Sequence, residues 1–144
     1  MINILQLPLS AAEETEIIDD LGCWKDTSSR AIPTLEKKHP DLKDDYKSRT
    51  NAYAKCLKAA KTFGYKVFAL QNGGWCASSE NAQNTYTKYG MSNDCRHDGE
   101  GGPWSNQVYK INGKFRSITV LNAYRYHYFP ICYAVANALQ KSFP

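Results

Sequence analysis

The sequence predicts a small α+β domain in which one central helix packs on a short, mostly antiparallel sheet and disulfides staple the two together. Three observations predict this class. The chain has 144 residues, 42% of them hydrophobic, which suffices for one domain with a modest core. Its five cysteines are widely and irregularly spaced, as in the disulfide framework of a small domain. One amphipathic helix pattern is followed directly by a strand pattern.

The central helix is predicted over residues 51–63. Thr50 is a favourable N-terminal cap, and Gly64 supplies a left-handed stop. Its apolar residues recur with helical spacing and fall on one face, as a helix packed on a sheet requires. These residues are Ala52, Tyr53, Cys56, Leu57, Ala60 and Phe63.

Three short strands are predicted near residues 21–25, 65–71 and 106–111. The second reads YKVFALQ and is rich in strand-forming residues. A short second helix is predicted over residues 79–90, where a glycine ends it. The Asn-Gly pair at 112–113 predicts a hairpin turn after the third strand.

These elements divide the chain into a leader (1–19), a domain (20–112) and a tail (113–144) whose structure the sequence does not decide. Residues 4–12, ILQLPLSAA, have the apolar run and small-residue end of a signal peptide but lack a basic start. A shortened secretory signal and an ordinary cytosolic start both remain open. No run approaches the roughly 20 apolar residues of a membrane span, so none is expected.

The charge pattern argues against a nucleic-acid partner. The formal net charge is only +4, and the lysines of residues 37–66 lie scattered among Asp41, Asp44 and Asp45. Such a pattern is typical of a solvated surface and lacks the concentrated basic stripe of a nucleic-acid-binding protein.

The cysteines favour disulfides over zinc. None forms a C-x-x-C pair, so the usual zinc spacing is absent. Cys56 lies on the buried face of the predicted helix, and Cys76 follows the strand expected beneath it. A bridge between them would staple helix to sheet and contribute about 3 kcal/mol through loop entropy.

A catalytic thiol and a calcium site are two alternatives to a purely structural role for Cys76 and for the loop at residues 94–100. Cys76 with His97 as its base could form a thiol nucleophile, but no third orienting residue stands out. Asp94, Asp98 and Glu100 lie among glycines and could ligate calcium, but their spacing matches no EF-hand loop. A structural half-cystine and a plain polar loop are therefore predicted. No catalytic residue, metal or cofactor is expected.

Three stretches occur in a specific order: LGCWKDTSSRAIP, KCLKAAKTFGYKVFALQNGGWCASS and DCRHDGEGGPWSNQVYKI. Together they resemble the WSC domain, a secreted, cysteine-rich carbohydrate-binding module related in shape to PAN/apple domains. The match covers residues 20–111. It implies a PAN/apple-like fold, secretion, and a carbohydrate or glycoprotein partner.

The chain departs from the WSC pattern at two cysteine positions, where Ala60 and Gly74 stand instead. One partner is missing on the helix and one after the strand, so the resemblance implies that a whole bridge is lost. Cys23 and Cys95 then pair as a clasp between the domain's opening and its late loop, although four cysteines allow three pairings. Cys132 lies outside the match and is the odd thiol.

The resemblance also implies a ligand face. Sugar-binding surfaces combine flat aromatic faces with a few fixed polar groups. The clasp would bring the first loop beside the DGEGGPW loop, while Trp75 next to the staple is expected in the core. Asp26 and Arg30 also fit a purely structural buried pair. The expected ligand-binding residues are Trp24, Asp26, Arg30, Gln71 and Trp104.

The leading expectation is a secreted, lectin-like, non-catalytic module that binds glycans or glycoproteins at the cell surface or in the extracellular matrix. The alternative is a secreted matrix, mucus or venom component that acts through protein–protein contacts. Exposed tryptophans would favour the first function, and self-association through the tail would favour the second.

Overall fold

The computed structural model describes residues 14–116, which form four strands and two helices. The expectations for residues 1–13, for the tail after 116 and for Cys132 lie outside this range. Two single turns of 3₁₀ helix, at Pro40–Leu42 and Tyr46–Ser48, lie between the first strand and the first helix. The elements are β1 (Glu14–Lys25), α1 (Ala52–Thr62), β2 (Val67–Gln71), β3 (Trp75–Ser78), α2 (Ala82–Thr85) and β4 (Ser105–Arg116).

The strands form one antiparallel sheet in the order β1-β4-β2-β3, which confirms the α+β class. All five residues of β2 are buried, because both faces of this inner strand are covered. Phe68 and Leu70 contribute to the core beneath α1, while Val67 and Ala69 contribute to a second core. The second core consists of Ile32, Val67, Ala69, Ala77, Ala82 and Val108.

The central helix is confirmed, but its first turn differs from the prediction. The N-cap is Asn51 rather than Thr50, and its left-handed backbone (φ 55°) is used without a side-chain hydrogen bond to the helix. Gly64 ends the helix as predicted, with φ 75° and its N–H donating to the carbonyl oxygen of Lys61 at 2.9 Å. The second predicted helix is reduced to the single turn α2.

The first and last strands of the predicted domain, β1 and β4, are longer than expected. β1 begins at Glu14, within the segment predicted to be a leader. β4 runs through Asn112 and Gly113, so the predicted hairpin turn there is wrong. The pairing of β1 with β4 explains both differences, because a turn at 112–113 would end β4 before it could pair with the start of β1. Lys114 accordingly reaches the Glu14 carboxylate.

Two disulfides connect these elements, with the pairing expected from the sequence. The Cys56–Cys76 bond joins α1 to β3, with a Cα–Cα distance of 5.5 Å. The Cys23–Cys95 bond joins the end of β1 to the loop before β4, with a Cα–Cα distance of 5.9 Å. The second bond therefore fastens the two segments that carry most of the expected ligand residues.

Candidate functional site

Three of the five expected ligand residues form one hydrogen-bonded group. Asp26 follows β1, Gln71 ends β2, and Arg30 lies in the loop that leaves β1. Nη1 of Arg30 donates to Oδ2 of Asp26 at 2.8 Å and to Oε1 of Gln71 at 3.0 Å. Nε2 of Gln71 donates to the same Asp26 oxygen at 2.9 Å. The group therefore holds Arg30 in one position relative to the sheet.

Asp26 is the buried anion of this group. Burial by itself raises the pKa of the carboxyl group, but hydrogen bonds from the Ala31 N–H, Arg30 and Gln71 outweigh it, so the pKa lies below its usual value of 3.8. The Ala31 N–H donates to Oδ1 at 2.9 Å. Asp26 is therefore ionised at neutral pH and compensates the charge of Arg30.

We expect the protein to lose stability in acid, below about pH 4. The pKa values of Asp26 and Asp44 are both lowered by folding, that of Asp44 to about 2, chiefly through Lys55 and then Arg49. A lowered folded-state pKa stabilises the protein above the unfolded value, and this contribution is lost as the pH falls through the folded value. Urea denaturation at a series of pH values below about 4 should show that the free energy of unfolding falls as the pH is lowered. Asp26→Asn should reduce the slope; an unchanged slope would contradict the assignment.

Two tryptophans lie against the guanidinium group of Arg30. Its Cζ is 4.3 Å from the ring centroid of Trp75 and 4.7 Å from that of Trp104. Trp104 is 53% exposed, and the side chain of Arg30 is 31% exposed. We call these three residues the tryptophan–arginine cluster. Cation–π contacts of this kind fix the relative positions of the rings.

Trp75, and not the expected Trp24, joins Trp104 against Arg30. Trp24 lies against the second core, where its Nε1 donates to the Leu21 carbonyl oxygen at 2.8 Å and its ring meets Tyr86 edge-on at 5.0 Å. Trp75 packs against the second core, as expected, and also contacts Arg30. A signal for this was present, because the three-residue turn after Gln71 makes Gln71 and Trp75 a cross-strand pair on one face.

Trp104 occupies a backbone position that usually favours glycine. It follows Pro103 in a tight turn closed by hydrogen bonds between Gly102 and Ser105, and its φ is 53°. Proline followed by a residue with positive φ matches a type II turn, in which the second position is usually glycine. The Asp26 N–H donates to the Trp104 carbonyl oxygen at 2.8 Å and ties this turn to the polar group.

The structure does not support a catalytic thiol at Cys76 or a calcium site in the loop at residues 94–100. Cys76 is bonded to Cys56 and buried, so it has no free thiol to act as a nucleophile. Asp98 accepts a hydrogen bond from the Glu100 N–H at 2.9 Å, as in an ordinary polar turn. Within residues 14–116, no three His, Cys, Asp or Glu side chains are grouped to hold a metal ion.

A buried arginine next to this site was missed by the sequence interpretation. The side chain of Arg49 is fully buried. It donates to both oxygens of Glu36 at 2.8 Å, to Asp44 at 2.7 Å and to the Gly74 carbonyl oxygen at 2.8 Å. Glu36 also accepts from the Cys76 N–H at 2.8 Å. In the sequence Arg49 cannot be told from the surface lysines around it, because its burial depends on non-local packing.

Comparisons with protein-family models, curated proteins and solved structures found no match. Among the helices of residues 14–116, none has the length and apolar content needed to cross a membrane.

Proposed function

We propose that this chain is a secreted, non-catalytic module that binds glycans or glycan-bearing proteins, with a WSC-like domain of the PAN/apple type. The small α+β fold and its two disulfides support this proposal, because disulfides persist mainly in oxidising compartments outside the cytosol. The partner would be a carbohydrate at the cell surface or in the extracellular matrix.

The observation that carries the proposal is the exposed indole of Trp104 on a fixed support. Arg30 covers part of the ring, and the exposed remainder offers a flat apolar surface to the C–H face of a pyranose. The turn, its positive φ and the bond to Asp26 hold the ring before any ligand arrives. Such preorganisation lowers the entropic cost of binding. A large residue in a glycine-like position is also more typical of a functional site than of a simple turn.

Polar groups for sugar hydroxyls lie beside this ring. Within the described residues, the hydrogen bonds of Arg30 involve Nη1, and a guanidinium group has five N–H donors in all. The remaining donors can therefore bind hydroxyl oxygens next to Trp104. Asp26 and Gln71 are buried, so they position Arg30 rather than contact the ligand.

Trp104→Ala should weaken glycan binding about five-fold, because one stacked aromatic ring contributes about 1 kcal/mol. The thermal midpoint should change little, since the ring is exposed. Trp104→Gly should weaken binding equally while relieving the backbone strain. Binding is measured with a glycan array and titration calorimetry on the oxidised protein.

Phe63→Ala is the matched control, because it removes another exposed aromatic ring, at the end of α1. It should leave glycan binding unchanged. Loss of folding in Trp104→Ala without a binding defect in the folded fraction would place Trp104 in the core. An array without any hit, together with self-association, would favour the protein-contact alternative.

A further inference from the structure

Trp75 also forms a wall of a cavity beside the tryptophan–arginine cluster. The cavity has a volume of about 370 Å³, within the range of small-molecule sites. We call it the Trp75 cavity. Its lining residues are Glu36, Lys37, Asp44, Asp45, Tyr46 and Trp75. It thus combines two aromatic rings with several oxygen acceptors, the pair of features that sugar recognition needs.

The polar walls of the Trp75 cavity are held in place. Arg49 binds Glu36 and Asp44 from the buried side, and Lys55 binds the second oxygen of Asp44 at 2.8 Å. Within the described residues, the carboxylate of Asp45 accepts one hydrogen bond, from the Lys47 N–H at 3.1 Å, which leaves most of its acceptor capacity for a ligand. The acceptors therefore do not need to reorganise when a ligand binds.

The charges of the cavity favour an uncharged, hydroxyl-rich ligand. Arg49 and Lys55 compensate Glu36 and Asp44, so these carboxylates act as acceptors without a large net field. The ammonium group of Lys37 is engaged by the Lys43 carbonyl oxygen at 2.6 Å. Hydroxyl groups can donate to the remaining carboxylate oxygens. A sulfate or carboxylate group would gain no net attraction, because Lys37, Arg49 and Lys55 are balanced by the three carboxylates, and it has no proton to donate to these acceptors.

The cavity and Trp104 are close enough for one ligand to reach both. The ring centroids of Trp75 and Trp104 lie at most about 9 Å apart, because both rings contact the same Arg30 carbon. We propose that the Trp75 cavity is a second subsite for an uncharged oligosaccharide that also stacks on Trp104. This inference rests on the proposed function and adds to it the length and charge class of the ligand.

The test uses an array of neutral oligosaccharides of one to six residues beside their sulfated counterparts, followed by calorimetry with the neutral series that binds. For the unmodified protein, affinity should rise with length, and the sulfated series should bind more weakly. Tyr46→Ala should weaken the longest ligand about five-fold and leave the shortest unchanged. Trp104→Ala should weaken every length.

Two further variants keep the test decisive. Asp45→Asn preserves the size of an exposed side chain and should also weaken only the long ligands. Tyr65→Ala removes a half-buried tyrosine outside the cavity and should change the binding of neither the long nor the short ligands. If Tyr46→Ala and Asp45→Asn bind long ligands normally while Trp104→Ala does not, the second subsite is wrong and the proposed function stands. Tighter binding of the sulfated series would overturn the charge class. No binding by the unmodified protein would overturn both proposals.

Discussion

Arg49→Met is expected to lower the free energy of unfolding by about 3–5 kcal/mol, the range observed when one partner of a buried ion pair is removed. Methionine keeps much of the side-chain volume, so the loss isolates the guanidinium group. Glu36 would remain largely buried without its bidentate partner, and the Gly74 carbonyl oxygen would lose its donor. Urea denaturation of the oxidised protein measures the change.

Lys58→Met is the matched control for this variant. Lys58 pairs with Asp41 at the same distance of 2.8 Å, but its side chain is exposed. Exposed pairs contribute at most about 1 kcal/mol, so this change should be small. The double variant Arg49→Met/Glu36→Gln should recover part of the loss, because it removes the uncompensated charge. Equal effects of Arg49→Met and Lys58→Met would show that Arg49 is not buried as described.

Replacing Cys23 and Cys95 together with alanine is expected to lower the free energy of unfolding by about 4 kcal/mol. The two residues are 72 positions apart in the chain, and a disulfide restricts the unfolded chain more strongly when it closes a longer loop. Denaturation curves of the variant and of the oxidised parent measure the difference. Glycan binding should weaken as well, because this bond fastens the segment before Trp104 to β1.

The variant without Cys56 and Cys76 provides the comparison for the loop-entropy argument. That bond spans only 20 positions, which predicts a loss of about 3 kcal/mol before any effect of the cavity left in the core. An unchanged stability of the Cys23/Cys95 variant would show that the late loop is held by its hydrogen bonds alone.

The sequence by itself determined the features that depend on local pattern. Helical spacing and the Gly64 stop located α1, and strand-forming residues located β2. The Cys56–Cys76 pair followed from these two predictions. Cys56 lies on the buried face of the helix, and Cys76 comes soon after the strand that packs beneath that face. The pairing of Asp26 with Arg30 was one of two roles that the resemblance to the WSC pattern allowed, and the structure shows the contact.

Tertiary structure decided what depends on contacts between distant segments. The register of β2 and β3 places Trp75 opposite Gln71 and hence against Arg30, and both Trp75 and Trp24 pack against the second core. The pairing of β4 with β1 overrides the turn preference at 112–113, because the backbone hydrogen bonds between the two strands outweigh one local propensity. Arg49 is buried because its loop closes over β3. Its residue type alone does not distinguish a buried arginine from a solvated one.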